Sequence, residues 1–295
     1  MNQSARFDLQ IIGERINPGF KSTKALFDNE DFEGIQALAR RQADAGAAWL
    51  NVNAGARGLT DAGFMAKVIR AIQDAVAVPL SLDVPSVEVQ RVCLETYDPQ
   101  RAGGQLPILN SITEHRWDLM ELYRFRPFKV IVMASERVED GVARGNKSAA
   151  DIAATARRAA LRLQREYGMP MDHIFVDMSI SAVVADTEGL NRATLDAIDA
   201  IGHDAELAGI HIMGGLSNIG QQLPARAADG SDLKHCLENA FLTLAVPRGF
   251  DTVLGTPWRE YAPLPDDNYV LTAYRAFLER SGSDALRAVR KLYRA

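Results

Sequence analysis

The sequence predicts an α/β fold: a single (β/α)8 barrel occupying residues 1–295 as one domain. Three observations carry this. Eight short apolar, β-branched segments alternate with helix-like segments, and such runs suit strands buried on both faces of a parallel sheet. Eight strand–helix units in one chain favour a closed barrel over an open sheet. No linker, repeat or low-complexity segment divides the 295 residues, and barrels of about 250 residues are single domains.

The strand candidates are residues 9–12, 49–53, 79–83, 106–110, 129–133, 173–177, 209–213 and 250–254. A helix over residues 31–45 carries Phe32, Ile35, Leu38 and Ala39 on one face, and Gly46 stops it. A second over 151–167 repeats the pattern with Ile152, Ala156, Ala159, Leu163 and Tyr167, ended by Gly168 and Pro170. Residues 137–147, with Gly141 and Gly145, read as a mobile loop after the fifth strand. Residues 257–267, with three prolines, read as a rigid excursion. The last stretch, 266–292, reads as one long helix. Its Phe277 and Leu278 are candidates for a self-association surface.

Composition narrows the function. There are 33 Lys+Arg against 38 Asp+Glu, a net charge of −5. Mild acidity argues against nucleic acid as the main partner, since phosphate binding needs a basic surface. No stretch approaches the roughly 20 apolar residues of a membrane span. The start has no apolar leader region. Cys93 and Cys236 are the only cysteines, too few for a disulfide scaffold or a Cys-rich metal site. The expectation is a cytoplasmic protein with no bound metal.

Barrel enzymes work at the C-terminal ends of their strands. Polar residues recur there. The first strand runs into Gly13-Glu14-Arg15-Ile16-Asn17, the second into Asn51-Val52-Asn53-Ala54-Gly55, and the third ends at Asp83. The fourth ends at Asn110, the sixth at Asp177, and the seventh runs into Gly214-Gly215-Leu216-Ser217-Asn218. Each alone also reads as a helix cap; a set converging on one mouth reads as a site. Carboxylates and carboxamides can read the N–H and C=O edge of a flat heterocycle such as a pterin. No Lys ends a strand, which disfavours a Schiff-base aldolase, and His211, inside a strand, reads as a satisfied core residue.

The opening motif, the Leu50–Gly55 motif and the Gly215-Leu216-Ser217-Asn218-Ile219 motif together resemble the pterin-binding methyltransferases. These are the methyltetrahydrofolate:corrinoid protein methyltransferases and the folate module of cobalamin-dependent methionine synthase. The resemblance implies that Asp83, Asn110 and Asp177 bind the pterin ring. It implies that Asn218, the catalytic candidate, bonds the nitrogen bearing the methyl group. Gln221 and Arg226 match the usual Gln and Arg further along that loop. Glu14, Asn17, Asn53, Gly215 and Ser217, inside the motifs, complete the expected pterin-binding set. Three departures stand out: Asn51 where members often have Asp, Met178 where Pro usually follows, and a longer loop between Pro224 and Leu233.

The resemblance implies a methyl transfer between methyltetrahydrofolate, or tetrahydrofolate, and the cobalt of a corrinoid. No Asp-x-His-x-x-Gly corrinoid signature occurs, and no room for a cobalamin domain follows the eighth unit. The corrinoid protein is therefore expected to be a separate partner. A homodimer is also implied. The rivals are dihydropteroate synthase-like chemistry, whose basic pattern around a pyrophosphate is not found, and a non-catalytic pterin- or corrinoid-protein-binding subunit.

Overall fold

The computed structural model describes residues 6–294; residues 1–5, read above for a leader, lie outside them. Among the described residues ten strands form. Eight close the barrel: β1 (Gln10–Ile16), β2 (Trp49–Val52), β3 (Leu80–Asp83), β4 (Ile108–Ile112), β5 (Lys129–Met133), β8 (Ile174–Asp177), β9 (His211–Gly215) and β10 (Phe250–Gly255). Every neighbouring pair is parallel, and β10 returns to pair with β1. This is the predicted (β/α)8 fold, with each expected strand within a few residues of its observed position.

The barrel interior explains where the polar residues go. Ile12, Trp49, Ile108, Ile131, Phe175 and Met213 form one apolar cluster, a single residue from each of six strands. Trp49 meets Phe175 edge-on at 5.5 Å. Side chains two apart share a face of a strand. Two residues beyond this plug, towards the C-terminal ends, stand Glu14, Asn51, Asn110, Met133, Asp177 and Gly215. Asp83 joins them through its register with Asn110. The barrel is thus filled by an apolar layer under a polar one. Below the plug, His211 stacks on Phe175 at 4.5 Å and donates Nδ1–H to Asp251 Oδ2 at 2.7 Å, the satisfied core residue its position predicts.

Helices cover the barrel in turn: α1 (Lys21–Asp28), α2 (Phe32–Asp44), α3 (Ala62–Ala75), α4 (Val87–Thr96), α5 (Ala149–Tyr167), α6 (Leu190–Gly202) and α7 (Leu233–Ala245). The side chain of Asp31 caps α2, and Gly168 at φ +63° closes α5.

Two expectations are corrected. Residues 137–147 are not an irregular loop but an antiparallel hairpin, β6 (Glu136–Glu139) and β7 (Val142–Gly145). Asp140 and Gly141 both take positive φ, 52° and 78°, as a tight two-residue hairpin turn requires. The single helix expected over 266–292 is two, α8 (Tyr269–Leu278) and α9 (Gly282–Lys291). Ser281 is extended, Gly282 sits at φ +57°, and the Gly282 N–H donates to the Thr187 carbonyl. Phe277 is 2% exposed and packs beside Tyr274, so it belongs to the core rather than to a self-association surface. No described helix is long and apolar enough to cross a membrane.

At the end of α6, a Cβ on Gly202 would run into the Arg248 carbonyl oxygen. This clash is with backbone and no rotamer change relieves it. Gly202→Ala is therefore expected to lower the unfolding free energy by about 1–3 kcal/mol, read from the denaturant midpoint. An unchanged midpoint would contradict this packing.

Candidate functional site

The polar layer is a hydrogen-bonded network centred on Asn51, which is 1% exposed. Its Oδ1 accepts from the Ser81 hydroxyl at 3.1 Å and from Asn110 Nδ2 at 3.1 Å. Its Nδ2 donates to Asp83 Oδ2 at 3.3 Å. Asn53 Nδ2 reaches the same oxygen at 2.9 Å, while Asn53 Oδ1 accepts from the Gly55 N–H at 2.7 Å. Three neighbouring strands and the residue just past β2 are joined through carboxamides whose orientation the network fixes. An aspartate at position 51 would place a second carboxylate against Asp83; the amide supplies a donor instead.

Burial pushes the Asp83 carboxyl above its ordinary range, opposed by the Asn53 and Asn51 amides and by the charge of Arg116. Asp177, at the end of β8, accepts from the Ser179 N–H at 2.6 Å through Oδ1. Burial raises its pKa to about 6; the Ser179 bond opposes the rise and the charge of Asp83 adds to it. Two carboxyl groups thus share one cup and feel each other. Asp177 Oδ2 has no protein donor among the described residues, and a ligand N–H can satisfy it.

Glu14, 8% exposed, ties three segments together. Oε1 accepts from Thr256 Oγ1 at 2.9 Å and Oε2 from Ser217 Oγ at 3.0 Å. Burial raises its pKa, the two hydroxyl bonds opposing. The carboxyl thereby anchors the loop that follows β9 to the end of β1 and to the residue after β10.

Asn218 lies on that anchored loop. It does not cap the next helix: Asp232 caps α7, fourteen positions on. Its Oδ1 accepts from Gln221 Nε2 at 2.7 Å. A Cβ on Gly215 would stand 3.1 Å from its Nδ2, so glycine there leaves room for the amide. With the carbonyl held by Gln221, the group left to present to a ligand is an N–H.

The structure therefore gathers Asp83, Asn110, Asn53 and Asp177 in the cup, with Glu14, Ser217, Gly215, Asn218 and Gln221 along its β9 side. Asn17 and Arg226 make local hydrogen bonds beside it. Asn17 Oδ1 accepts from the Gly19 N–H at 2.8 Å. The exposed Arg226 donates to the Gly230 carbonyl at 3.4 Å in the turn before α7. Sequence reading missed Ser81, Thr256 and Arg116. Ser81 was visible as a hydroxyl two positions before Asp83 on the same strand face; the other two lie in loops with no periodic signal.

The family described as pterin binding enzymes matches residues 14–254. A curated relative, the methylcorrinoid:tetrahydrofolate methyltransferase of Eubacterium limosum, is 23% identical over 260 residues, 84% of each chain. Among solved structures, a dihydropteroate synthase from Thermus thermophilus is 20% identical with a TM-score of 0.54, covering 91% of this chain and 94% of that one. One from Stenotrophomonas maltophilia is 15% identical with a TM-score of 0.58, covering 91% and 92%. At these identities the structures show a shared fold.

The raised Asp177 pKa has a stability consequence. The folded state holds this proton more tightly than the unfolded chain, where the value is 3.8. Stability therefore falls as pH rises from about 4 towards about 6 and stays lower above that. Asp177→Asn keeps an acceptor for the Ser179 N–H and removes the charge. With about 1.4 kcal/mol per unit, it is expected to stabilise the protein by about 1–3 kcal/mol at pH 7.5, with no gain below pH ~4. Urea unfolding across pH checks this; an offset independent of pH would contradict it.

Proposed function

The chain belongs to the pterin binding enzymes, and from that premise we propose that it transfers a methyl group between methyltetrahydrofolate, or tetrahydrofolate, and the corrinoid of a separate protein. The observation that carries this reading is the division of labour in the cup: carboxyl groups at the floor, and an amide N–H fixed on the loop after β9. Asp83 and Asp177 accept the pterin's amino and ring N–H groups, with Asn110 beside them. Asn218 presents Nδ2 to the pterin nitrogen that carries the methyl group.

A tertiary amine is a poor leaving group. The methyl leaves only if its nitrogen gains positive character, through a proton or a strong hydrogen bond. The N–H of Asn218 stabilises electron density that builds on that nitrogen as the methyl departs. That bond strengthens towards the transition state, so it accelerates the transfer rather than merely tightening binding. The reduced corrinoid supplies the cobalt nucleophile when its carrier protein docks. This chain's own groups orient the pterin and stabilise charge, and a proton reaches the nitrogen through water. The same arrangement serves both directions, with the E. limosum relative named for methylation of tetrahydrofolate. A homodimer is proposed on resemblance alone; sedimentation yielding only the 32.3 kDa monomer would remove it.

The test is turnover of methyltetrahydrofolate with reduced free cobalamin, followed by the cobalamin spectrum. Methylcobalamin formation supports the reading; binding without transfer would favour a non-catalytic subunit. Asn218→Ala is expected to cost about 10²–10³ in kcat with a few-fold change at most in affinity. Asn218→Asp should retain more activity, with its pH profile displaced towards acid, because it donates only when protonated. If both variants transfer methyl at the full rate, Asn218 has no part in the chemistry.

A further inference from the structure

The loop after β4 carries a cation outside the set described so far. Arg116 precedes the 3-10 turn Trp117–Arg124, and its backbone N–H donates to the Thr113 carbonyl at 3.0 Å. Its Nη2 is buried and has no hydrogen-bond partner. Of the acids near it in sequence, Glu114 is already engaged, and the exposed Asp118 makes no ion pair with it. Glu114 pairs with Arg158 at 2.7 Å and accepts the Val138 N–H at 2.7 Å. Glu136 faces His115 at 3.6 Å. Asp83 accepts two amide N–H bonds on Oδ2 and no protein donor on Oδ1 among the described residues, and Arg116 lies close enough for its charge to lower that carboxyl's pKa without forming an ion pair. Among the described residues no carboxylate stands within 4.0 Å of the guanidinium.

A buried N–H without an acceptor is costly and rare in a native structure. Here it lies on the loop after β4, within reach of Asp83, in a cup whose open carboxylate oxygens accept hydrogen bonds. A pterin edge carries an amino group, a ring N–H and a carbonyl oxygen in succession. A carboxylate takes the first two; the third needs a donor beside that carboxylate. We propose that Arg116 is a ligand-binding residue that donates Nη2–H to the pterin ring carbonyl adjoining the N–H groups held by the carboxyls. This rests on the pterin reading above and adds to it the residue that reads the ring's acceptor edge.

Two ligands separate the ring from the rest of the folate: methyltetrahydrofolate, and 6-methyltetrahydropterin, which lacks the benzoylglutamate tail. Wild type, Arg116→Met and Arg116→Lys are titrated with each, and thermal unfolding is followed without ligand. Arg116→Met should weaken both ligands by the same factor, about 10- to 100-fold for a charge-assisted bond. Arg116→Lys, with a single-point donor, should fall between. The unliganded Tm should hold or rise, because the variant removes an unsatisfied buried donor. A loss confined to methyltetrahydrofolate would overturn the proposal and assign Arg116 to the tail carboxylates. Unchanged affinity would overturn it, as would a loss that merely follows a fall in Tm. If wild type binds neither ligand, the pterin reading fails and takes this inference with it. If wild type binds both and Arg116→Met binds them equally tightly, the inference alone fails.

Discussion

The two-residue period of a β-strand governs this molecule. Inside a closed parallel barrel, each strand contributes every second side chain to a shared layer. Here the layer through Trp49 and Phe175 is wholly apolar, and the next is mostly polar, with Met133 and Gly215 the exceptions. The first makes the barrel a packed body and closes the cup from below. The second can then be rich in carboxyls and carboxamides, because those on β2, β3 and β4 satisfy one another and Glu14 and Asp177 are held by neighbouring loop groups. A one-residue slip in any strand would turn a cup-facing group outward into the helices and an aliphatic side chain inward.

The polar layer works because it mixes amides with acids. Buried carboxyls repel each other and resist ionisation. Asn51, Asn53 and Asn110 supply N–H donors without adding charge, and Asn51 bridges Asp83, Ser81 and Asn110 at once. Asp83 and Asp177 are each satisfied on one oxygen before any ligand arrives and, among the described residues, each keeps the other open. The departure from the usual Asp at position 51 thus has a structural reading: an amide joins the network where an acid would add repulsion.

Much of the fold and part of the site were legible in the sequence. Buried parallel strands are continuous apolar runs, and all eight stood out on that basis. The polar ends of those runs gave Asp83, Asn110 and Asp177 directly. What was missed has local causes. The hairpin of β6 and β7 has little apolar periodicity, and its signal was the Asp140-Gly141 pair alone. The break between α8 and α9 rests on one glycine at positive φ and a contact with Thr187, a tertiary interaction no window of sequence reveals. Arg116 was invisible for the same reason: its importance lies in which neighbours are already engaged. Glu14 was seen, but its two hydroxyl partners lie 203 and 242 positions away.

Those separations bear on how the site comes into being. The carboxyl of Glu14 sits on the first strand, and the groups it holds belong to the last third of the chain, on either side of β10, the strand that meets β1 at the seam. Contacts so distant in sequence are entropically the most expensive to close, and they form only when the ring is complete. A partly folded barrel would already possess most strands and much of the Asp83 network, which joins neighbours. It would not possess a fixed loop for Asn218. The Asp83 network and the fixed Asn218 loop are therefore assembled at different stages of folding, and the second serves as a report that the circle has shut.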